Sequence, residues 1–96
     1  MDLREMQEII MKTYFAKDSR RGVLLTLAWF VEEVGELSKA VRTRDEGDLR
    51  EEFADVLAWL LSLANLLKID LEKVFIDKYG KGCPKCGAIP CVCAEV

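Results

Sequence analysis

Two pairs of acidic residues, each at i and i+3 within an apolar-periodic segment, constrain this chain more than any other feature. Glu33 and Glu36 lie in EEVGE, and Glu52 and Asp55 lie in EFAD. Residues three apart share one face of a helix, so each pair can present two carboxylates to a single ion. The pairs are spaced symmetrically about Arg44. This spacing predicts an antiparallel helix pair that brings all four carboxylates to matching heights.

The apolar positions of the two segments agree with this arrangement. On a helical wheel, Trp29 shares a stripe with the first acid pair and Trp59 shares one with the second. Each stripe lies beside a predicted core face, which runs through residues 23–41 in one helix and 49–67 in the other. The predicted core face of the first helix consists of Val23, Leu27, Phe30, Val31, Val34, Leu37 and Val41.

Four carboxylates held together require compensation, because they repel one another and lose hydration. Mg²⁺ provides it, since hard divalent cations prefer oxygen ligands. A single pair of glutamates is usually part of a solvated helix face. Two symmetric pairs, each beside a tryptophan, favour a magnesium site made by Glu33, Glu36, Glu52 and Asp55 instead.

These motifs resemble the MazG-type all-α nucleoside triphosphate pyrophosphohydrolases. The resemblance covers roughly residues 1–80 and rests on EEVGEL, on EEFADVLAWLLSLANLL and on IDLEKVFIDKYGK. It implies Mg²⁺-dependent hydrolysis of ribo- or deoxynucleoside triphosphates to the monophosphate and pyrophosphate, in a homo-oligomer. It also suggests a role in clearing noncanonical nucleotides. A phosphoribosyl-ATP pyrophosphohydrolase of the same broad superfamily is an alternative.

Length and composition predict one small helical domain, 1–80, followed by a short tail, 81–96. Of the 96 residues, 51% are hydrophobic and 32% are charged, which excludes a disordered chain. The net charge of −3 and the lack of a basic run argue against nucleic acid as the main partner. The longest apolar run, 56–67, is too short to span a bilayer, and no signal peptide is recognisable. We therefore expect no membrane partner and a cytoplasmic location.

The periodicity predicts an all-α fold, a small bundle of about four helices. The expected helices are 2–16, 22–43, about 48–68 and 71–79, with a break at 18–22. Asp48 is the predicted N-cap of the third helix, with Glu51 as its capping-box partner, and Asp70 is the predicted N-cap of the fourth. The third helix is apolar almost all round, and such a helix is normally buried all round. Four short helices cannot surround it, so we expect a homo-oligomer, a dimer or a tetramer.

The tail carries four cysteines within eleven residues, Cys83, Cys86, Cys91 and Cys93. CPKCG has the form of a zinc knuckle, and four thiolates suit tetrahedral Zn²⁺, which would order so short a segment. Two disulfides or simply reduced cysteines are the alternatives, and the lack of a secretory signal favours zinc over both. An iron–sulfur cluster suits the tightly spaced second pair less well. The resembled family does not generally carry this element, so its expected role is structural.

The absence of histidine narrows the chemistry. Di-iron carboxylate bundles use Glu-x-x-His pairs, and serine or cysteine nucleophiles commonly rely on a histidine base. Carboxylate–magnesium chemistry on a phosphate chain remains. The resemblance implies that water attacks the α-phosphorus, with Glu33 at the reacting centre and Glu32 as an indirect metal contact or assistant base.

Substrate contacts are predicted for five further residues. Lys78 lies where the family tends to keep a lysine, although the cysteine tail replaces the polar segment that usually follows. Lys39 is a second candidate for the phosphates. Trp29 and Trp59 either stack a nucleobase or pack at an interface. Asn65 either binds a base or sugar or pairs with backbone.

A different class of protein also fits the pattern. A non-catalytic helical interaction module, stabilised by metal, would use the acidic cleft and the zinc tail for assembly. Such a module needs no magnesium-dependent release of pyrophosphate, and its acidic residues should tolerate replacement by amides.

Overall fold

The chain folds into four helices joined by short turns, in a computed structural model that describes residues 1–95. The helices are α1 (Leu3–Arg21), α2 (Val23–Thr43), α3 (Glu46–Leu66) and α4 (Leu71–Tyr79). The described residues include no strand, which confirms the predicted all-α class. None of these helices combines the length and the apolar character that crossing a membrane would need.

Helix α1 extends further than the sequence predicts. An Asp2–Glu5 capping box begins it. The expected end at Ala16 is wrong, because Asp18 and Arg21 form an i,i+3 ion pair of 2.8 Å within the helix. Gly22 ends α1 instead: its φ of 86° lies in a region that residues with a side chain rarely adopt.

The turn between α2 and α3 reverses the chain within two residues. Arg44 adopts the left-handed conformation, and Asp45 caps α3 by accepting hydrogen bonds from the N–H groups of Gly47 (3.1 Å) and Asp48 (3.2 Å). The predicted cap at Asp48 is therefore wrong, since the tight reversal starts the helix earlier. The antiparallel central helix pair is confirmed.

Helix α4 begins as the sequence predicts. Asp70 caps it by accepting a hydrogen bond from the N–H of Lys73 at 3.2 Å. The same carboxylate pairs with Arg4 at 3.0 Å, which ties the start of α4 to α1. Gln7 adds two hydrogen bonds, donating to the Ile69 carbonyl and accepting from the Leu71 N–H.

Helix α3 is the centre of the fold and contacts both α1 and α2. Leu61 and Ala64 of α3 are buried, as is Ala40 of α2. On its second apolar side, α3 is covered only in part by this chain. Met6 and Ile9 of α1 lie beside the buried Leu61, whereas Ala54 and Leu57 are exposed. That one chain cannot surround α3 therefore stays a prediction.

Helix α2 instead carries the exposed apolar surface. Its predicted core face is largely outside the single chain, with Val31 58% exposed and Leu27, Val34 and Val41 each more than 40% exposed. Phe53 of α3 is likewise 58% exposed. The periodicity correctly identified an apolar face of α2, but its prediction as a core face is wrong within the single chain, because no element within residues 1–95 covers it.

Candidate active site and metal centres

Three carboxylates converge between α2 and α3. Glu33, Glu52 and Asp55 have oxygens that all lie within 4.8 Å of one another. The register of the helix pair is fixed beside them by Trp29 and Trp59, whose rings stack with centroids 6.2 Å apart and planes 21° apart. The symmetric spacing of acids and tryptophans in the sequence therefore corresponds to a real juxtaposition.

Glu52 shows the electrostatic cost of this acid cluster (Glu33, Glu36, Glu52 and Asp55). Burial, a hydrogen bond with Glu33 and the negative charges of the other cluster members raise its pKa to about 6. Its Oε2 atom is buried and has no hydrogen-bond partner.

The donor set fits a hard divalent cation. Oxygens bound about 2.1 Å from Mg²⁺ lie roughly 3 to 4 Å apart, so small side-chain rotations would bring the three carboxylates into place. A cation there would satisfy the orphaned oxygen of Glu52 and offset the repulsion that raises its pKa. Glu36, the fourth predicted ligand, is exposed and lies outside the group of three converging oxygens, although its charge still acts on Glu52.

The remaining predicted site residues differ in their exposure and in the residues that they contact. Glu32 and Lys39 are exposed on α2. Lys78 lies 5.4 Å from the Tyr79 ring centroid and lines a cavity with tail residues. Asn65 is buried and donates a hydrogen bond to the Gln7 carbonyl at 3.2 Å, which is the backbone pairing that the sequence left open.

A cavity of about 200 Å³ opens beside the acid cluster, between α1 and α3. Arg21 projects into it and lies over the Trp59 ring, with its guanidinium carbon 4.7 Å from the centroid. Asp55 and Trp59 in this wall were predicted site residues, but the place of Asp18 in it was not predicted, because 18–22 read as a break between helices. The available clue was the i,i+3 spacing of Asp18 and Arg21. The cavity is lined by Tyr14, Asp18, Arg21, Asp55, Ala58, Trp59 and Ser62.

The four cysteines of the tail also come together. The sulfurs of Cys83 and Cys93 are 3.8 Å apart and those of Cys86 and Cys91 are 3.9 Å apart, and all four lie within 4.8 Å. No disulfide joins them in this structure, since bonded sulfurs are about 2.05 Å apart. The edge of a tetrahedral zinc–thiolate site with bonds of about 2.3 Å is about 3.8 Å long.

Backbone amides prepare this cysteine cluster for negative charge. The Val92 N–H points at the sulfur of Cys86 (3.4 Å) and, with the Ala88 N–H, lowers the pKa of Cys86 to about 6. Amides of residues 85 and 86 lower the pKa of Cys83. Hydrogen bonding with the neighbouring cysteines raises the pKa of Cys93 instead. A metal ion would remove this competition by stabilising every thiolate.

Gly82 permits the tail to fold closely at the start of the cluster. A Cβ atom there would lie 2.5 Å from Ile89 Cγ1 and 2.9 Å from the Ala88 carbonyl oxygen. Its φ of 106° also disfavours any side chain. The loop closes through hydrogen bonds from the Cys83 N–H to the Ala88 carbonyl and from the Gly87 N–H to the Cys83 carbonyl.

The protein is therefore an all-α protein with a carboxylate cluster, suited to a divalent cation, between two antiparallel helices. Residues 21–87 match the family described as the MazG nucleotide pyrophosphohydrolase domain. This match spans more than half of the chain, and the chain belongs to that family. Membership in this family implies that the protein is a metal-dependent hydrolase with a nucleotide substrate. No curated protein matches the chain.

Proposed function

We propose that the chain is a Mg²⁺-dependent pyrophosphohydrolase that converts ribo- or deoxynucleoside triphosphates to the monophosphate and pyrophosphate. The convergence of Glu33, Glu52 and Asp55 around the orphaned Glu52 oxygen carries the proposal. Family membership supports it by implying a nucleotide substrate. Clearing of noncanonical nucleotides is the accompanying proposal for the physiological role.

The acid cluster is the proposed magnesium ligand set, through Glu33, Glu36, Glu52 and Asp55. A bound Mg²⁺ would neutralise phosphate charge and activate a water molecule for attack. Water adds to the α-phosphorus, and the bond from that phosphorus to the oxygen bridging to the β-phosphate breaks. Glu33 and the exposed Glu32 beside it are the proposed acceptors of the proton that water loses.

Nucleotide contacts are proposed for residues near this cluster. Trp29 and Trp59 lie beside the acids and are held by their mutual stacking. Lys39 follows Glu36 by about one helical turn on α2 and is the proposed contact to the phosphate chain. Contacts through Asn65 and Lys78 stay predictions, since Asn65 is engaged with Gln7 and Lys78 lies beside the tail.

The ion proposed for the cysteine cluster is Zn²⁺, in a structural role. Four sulfur donors at tetrahedral spacing, with no position left open, are typical of structural zinc sites. Metal analysis of protein purified without chelator should find one zinc per chain. Iron with the absorption of an iron–sulfur cluster would contradict this assignment.

A second copy of the chain is the proposed cover for the exposed face of α2. Leu24, Leu27, Val31 and Val34 follow a heptad-like spacing, which suits a helix from another subunit. A surface of this kind is unusual on a monomer. Light scattering should give a dimer or a larger assembly, and Val31→Glu should shift it toward monomer. A monomeric wild-type protein at micromolar concentration would contradict the proposal.

The test of the activity is pyrophosphate release from a panel of ribo- and deoxynucleoside triphosphates, with Mg²⁺ and then with EDTA. We expect monophosphate and pyrophosphate only when Mg²⁺ is present, and loss of turnover in Asp55→Ala with retained helicity. Orthophosphate, or no product across the panel, would overturn the proposal. Turnover of phosphoribosyl-ATP alone would identify the protein as a phosphoribosyl-ATP pyrophosphohydrolase. The absence of both activities would favour the non-catalytic interaction module.

A further inference from the structure

Arg21 lies where three helices meet, in the wall of the cavity beside the acid cluster. Its Nη1 donates hydrogen bonds to Asp18 of α1 at 2.8 Å and to Thr26 of α2 at 3.3 Å. Its guanidinium lies over the Trp59 ring of α3, with the central carbon 4.7 Å from the ring centroid. Asp18 and Thr26 are 2% and 0% exposed, so both anchors are themselves held by packing. Contacts with three helices therefore fix the guanidinium.

One edge of this guanidinium is available to a ligand. Within residues 1–95, the hydrogen bonds of the Arg21 side chain are all donated by Nη1, which leaves Nε and Nη2 without an acceptor. In the same residues only Asp18 Oδ2 and Glu52 Oε2 are buried without a partner, so both nitrogens are accessible. Their N–H groups form a planar fork, the arrangement that binds two oxygens of a phosphate or carboxylate group.

Asp18 explains why this fork is not already occupied. The cavity wall contains a second carboxylate, Asp55, which belongs to the acid cluster. Within residues 1–95, however, the ion pair of Arg21 is with Asp18 and not with Asp55. A buried carboxylate needs a charge partner, so Asp18 holds Nη1 firmly. The guanidinium is thereby kept away from a proposed metal ligand, and its other edge stays accessible.

The cavity leads from the acid cluster to Arg21. Asp55 and Trp59, both in its wall, are four positions apart on α3, about 6 Å along the helix axis. A phosphate chain held by a cation at the acid cluster can span that separation. The volume of about 200 Å³ is below the roughly 300 Å³ typical of pockets for drug-sized ligands, so the cavity admits one part of a nucleotide. Within residues 1–95, Arg21 is the one cation in this wall.

We propose that Arg21 is a substrate-binding residue whose Nε–H and Nη2–H donate two hydrogen bonds to a phosphate group of the nucleotide. The ligand chemistry recognised here is the polyphosphate chain, and the contact does not read the base. Asp18 is a positioning residue, because it is buried and acts only through Arg21. The inference rests on the proposed function, since the acid cluster and its cation locate the phosphate chain.

Inorganic tripolyphosphate tests this contact without a base or a sugar. Its affinity is measured by calorimetric titration in Ca²⁺, a hard cation that also takes oxygen ligands. Arg21→Lys keeps a positive charge beside Asp18 but loses the planar fork. It should weaken tripolyphosphate binding by about tenfold, as expected for the loss of a hydrogen bond to a charged group. An unchanged affinity in Arg21→Lys, or no binding to the wild-type protein, overturns the inference.

The same titration with the tightest-binding nucleoside triphosphate of the panel identifies which part of the nucleotide Arg21 contacts. We expect Arg21→Lys to weaken binding of the nucleotide and of tripolyphosphate by similar factors, because the lost contact is to phosphate in both. A loss confined to the nucleotide would assign the contact to the base or the sugar, and would overturn the inference.

The double variant Asp18→Asn/Arg21→Gln separates binding from folding. Removing both charges of a buried ion pair costs far less stability than removing one, and the net charge is unchanged. Thermal unfolding should stay close to that of the wild type, while tripolyphosphate binding should weaken by about tenfold or more. Wild-type affinity in the folded double variant would show that the ion pair is only structural. If this variant does not fold, the result for Arg21→Lys decides.

Lys73→Gln/Asp77→Asn is the matched control, because it removes an exposed ion pair of α4 and also leaves the net charge unchanged. It should bind tripolyphosphate as the wild type does. An equal loss of affinity in this control would overturn the assignment to Arg21.

The inference and the proposed activity can fail separately. If no nucleotide releases pyrophosphate but tripolyphosphate binding depends on Arg21, the activity proposal fails and the inference stands. If pyrophosphate is released and Arg21→Lys keeps the wild-type KM and tripolyphosphate affinity, the activity stands and the inference fails.

Discussion

The acid cluster and the cysteine cluster both gather metal-binding side chains, but they do so in opposite ways. The carboxylates come from α2 and α3 and are held by long helices whose register the paired tryptophans fix. The thiols come from eleven consecutive residues and are held by a few backbone hydrogen bonds. One site is made by tertiary packing, and the other is a local loop.

This difference has a consequence for what each metal contributes. The helix pair is held by packing between α2 and α3, and its clustered charge raises the pKa of Glu52. The proposed Mg²⁺ would add chemistry to helices that pack against each other through their own side chains. The loop has little core of its own, so metal binding contributes the free energy that orders it. Losing each metal should therefore affect different properties of the protein.

The largest expected effect is on activity, in Glu52→Gln. Removing one carboxylate from the acid cluster should lower kcat/KM for pyrophosphate release by at least about 100-fold, because charge neutralisation by the metal contributes several kcal/mol to the transition state. Helicity measured by circular dichroism should not change. Glu51→Gln is the control, since Glu51 is exposed on the adjacent position of α3. Comparable losses in both variants would refute the assignment of the cluster.

The next effect concerns zinc, in Cys86→Ser. Loss of one of four sulfur ligands should weaken zinc binding by about 100-fold or more, measured by competition with a chromophoric chelator. The thermal unfolding of the helices should be nearly unchanged, because the backbone hydrogen bonds that close the cysteine loop lie within the loop itself.

Lys85→Ser is the control for this experiment, since Lys85 is the exposed neighbour within the same knuckle. It should retain one zinc per chain. A large loss of helicity in Cys86→Ser would show that the two sites are coupled, which would break the contrast drawn between them.

The pH dependence of the acid cluster is the third effect. The folded pKa of Glu52, about 6, is above its ordinary value of 4.5, so the metal-free native state binds more protons than the unfolded state between these values. The contribution of Glu52 to stability should fall as pH rises from about 4.5 to 6 and stay low above, which the difference between Glu51→Gln and Glu52→Gln isolates. Magnesium must displace this proton, so its affinity should fall by up to about tenfold per pH unit below 6.

Calorimetric Mg²⁺ titrations and metal-free unfolding between pH 4.5 and 7.5 measure both trends. Glu51→Gln should retain the stability trend and Glu52→Gln should lose it. If the stability of metal-free protein instead rises across this range with the same slope in both variants, the raised pKa inferred for Glu52 from the crowded charges is contradicted.

The smallest effect is on the helix pair itself, in Asp45→Ala. Loss of the N-cap hydrogen bonds should lower the free energy of unfolding by about 1 kcal/mol, measured with denaturant. Asp48→Ala is the matched control and should cost less, because the Asp48 side chain makes no cap bond. Zinc content should be unaffected in both. A larger loss in Asp48→Ala would restore the cap that the sequence indicated.

Much of the fold was predictable because its determinants are local. The helical periodicity, the Asp70 cap and the register about Arg44 are set by short-range spacing, and the structure has them as predicted. The wrong predictions concern residues whose local sequence fits more than one structure. Asp18 and Arg21 read as turn residues, although an i,i+3 ion pair stabilises a helix equally well.

The partners of each apolar face were not predictable in this way. The sequence showed correctly that α3 is apolar on nearly all sides, but not that α1 would bury only Leu61 on the second side and leave Ala54 and Leu57 exposed. It also could not show that the apolar stripe of α2 lies outside the single chain. Periodicity identifies which residues share a face, whereas the element that packs on the face depends on the whole arrangement of helices.

The sequence by itself determined the four helices, the carboxylate pairs and the four thiols, because each depends on residue type at short spacing. Only the tertiary structure decided that α1 joins α3 to form a cavity beside the acids. It also decided that one oxygen of Asp18 would be buried there without a partner. Burial and hydrogen-bond satisfaction depend on contacts between distant segments, which residue spacing does not specify.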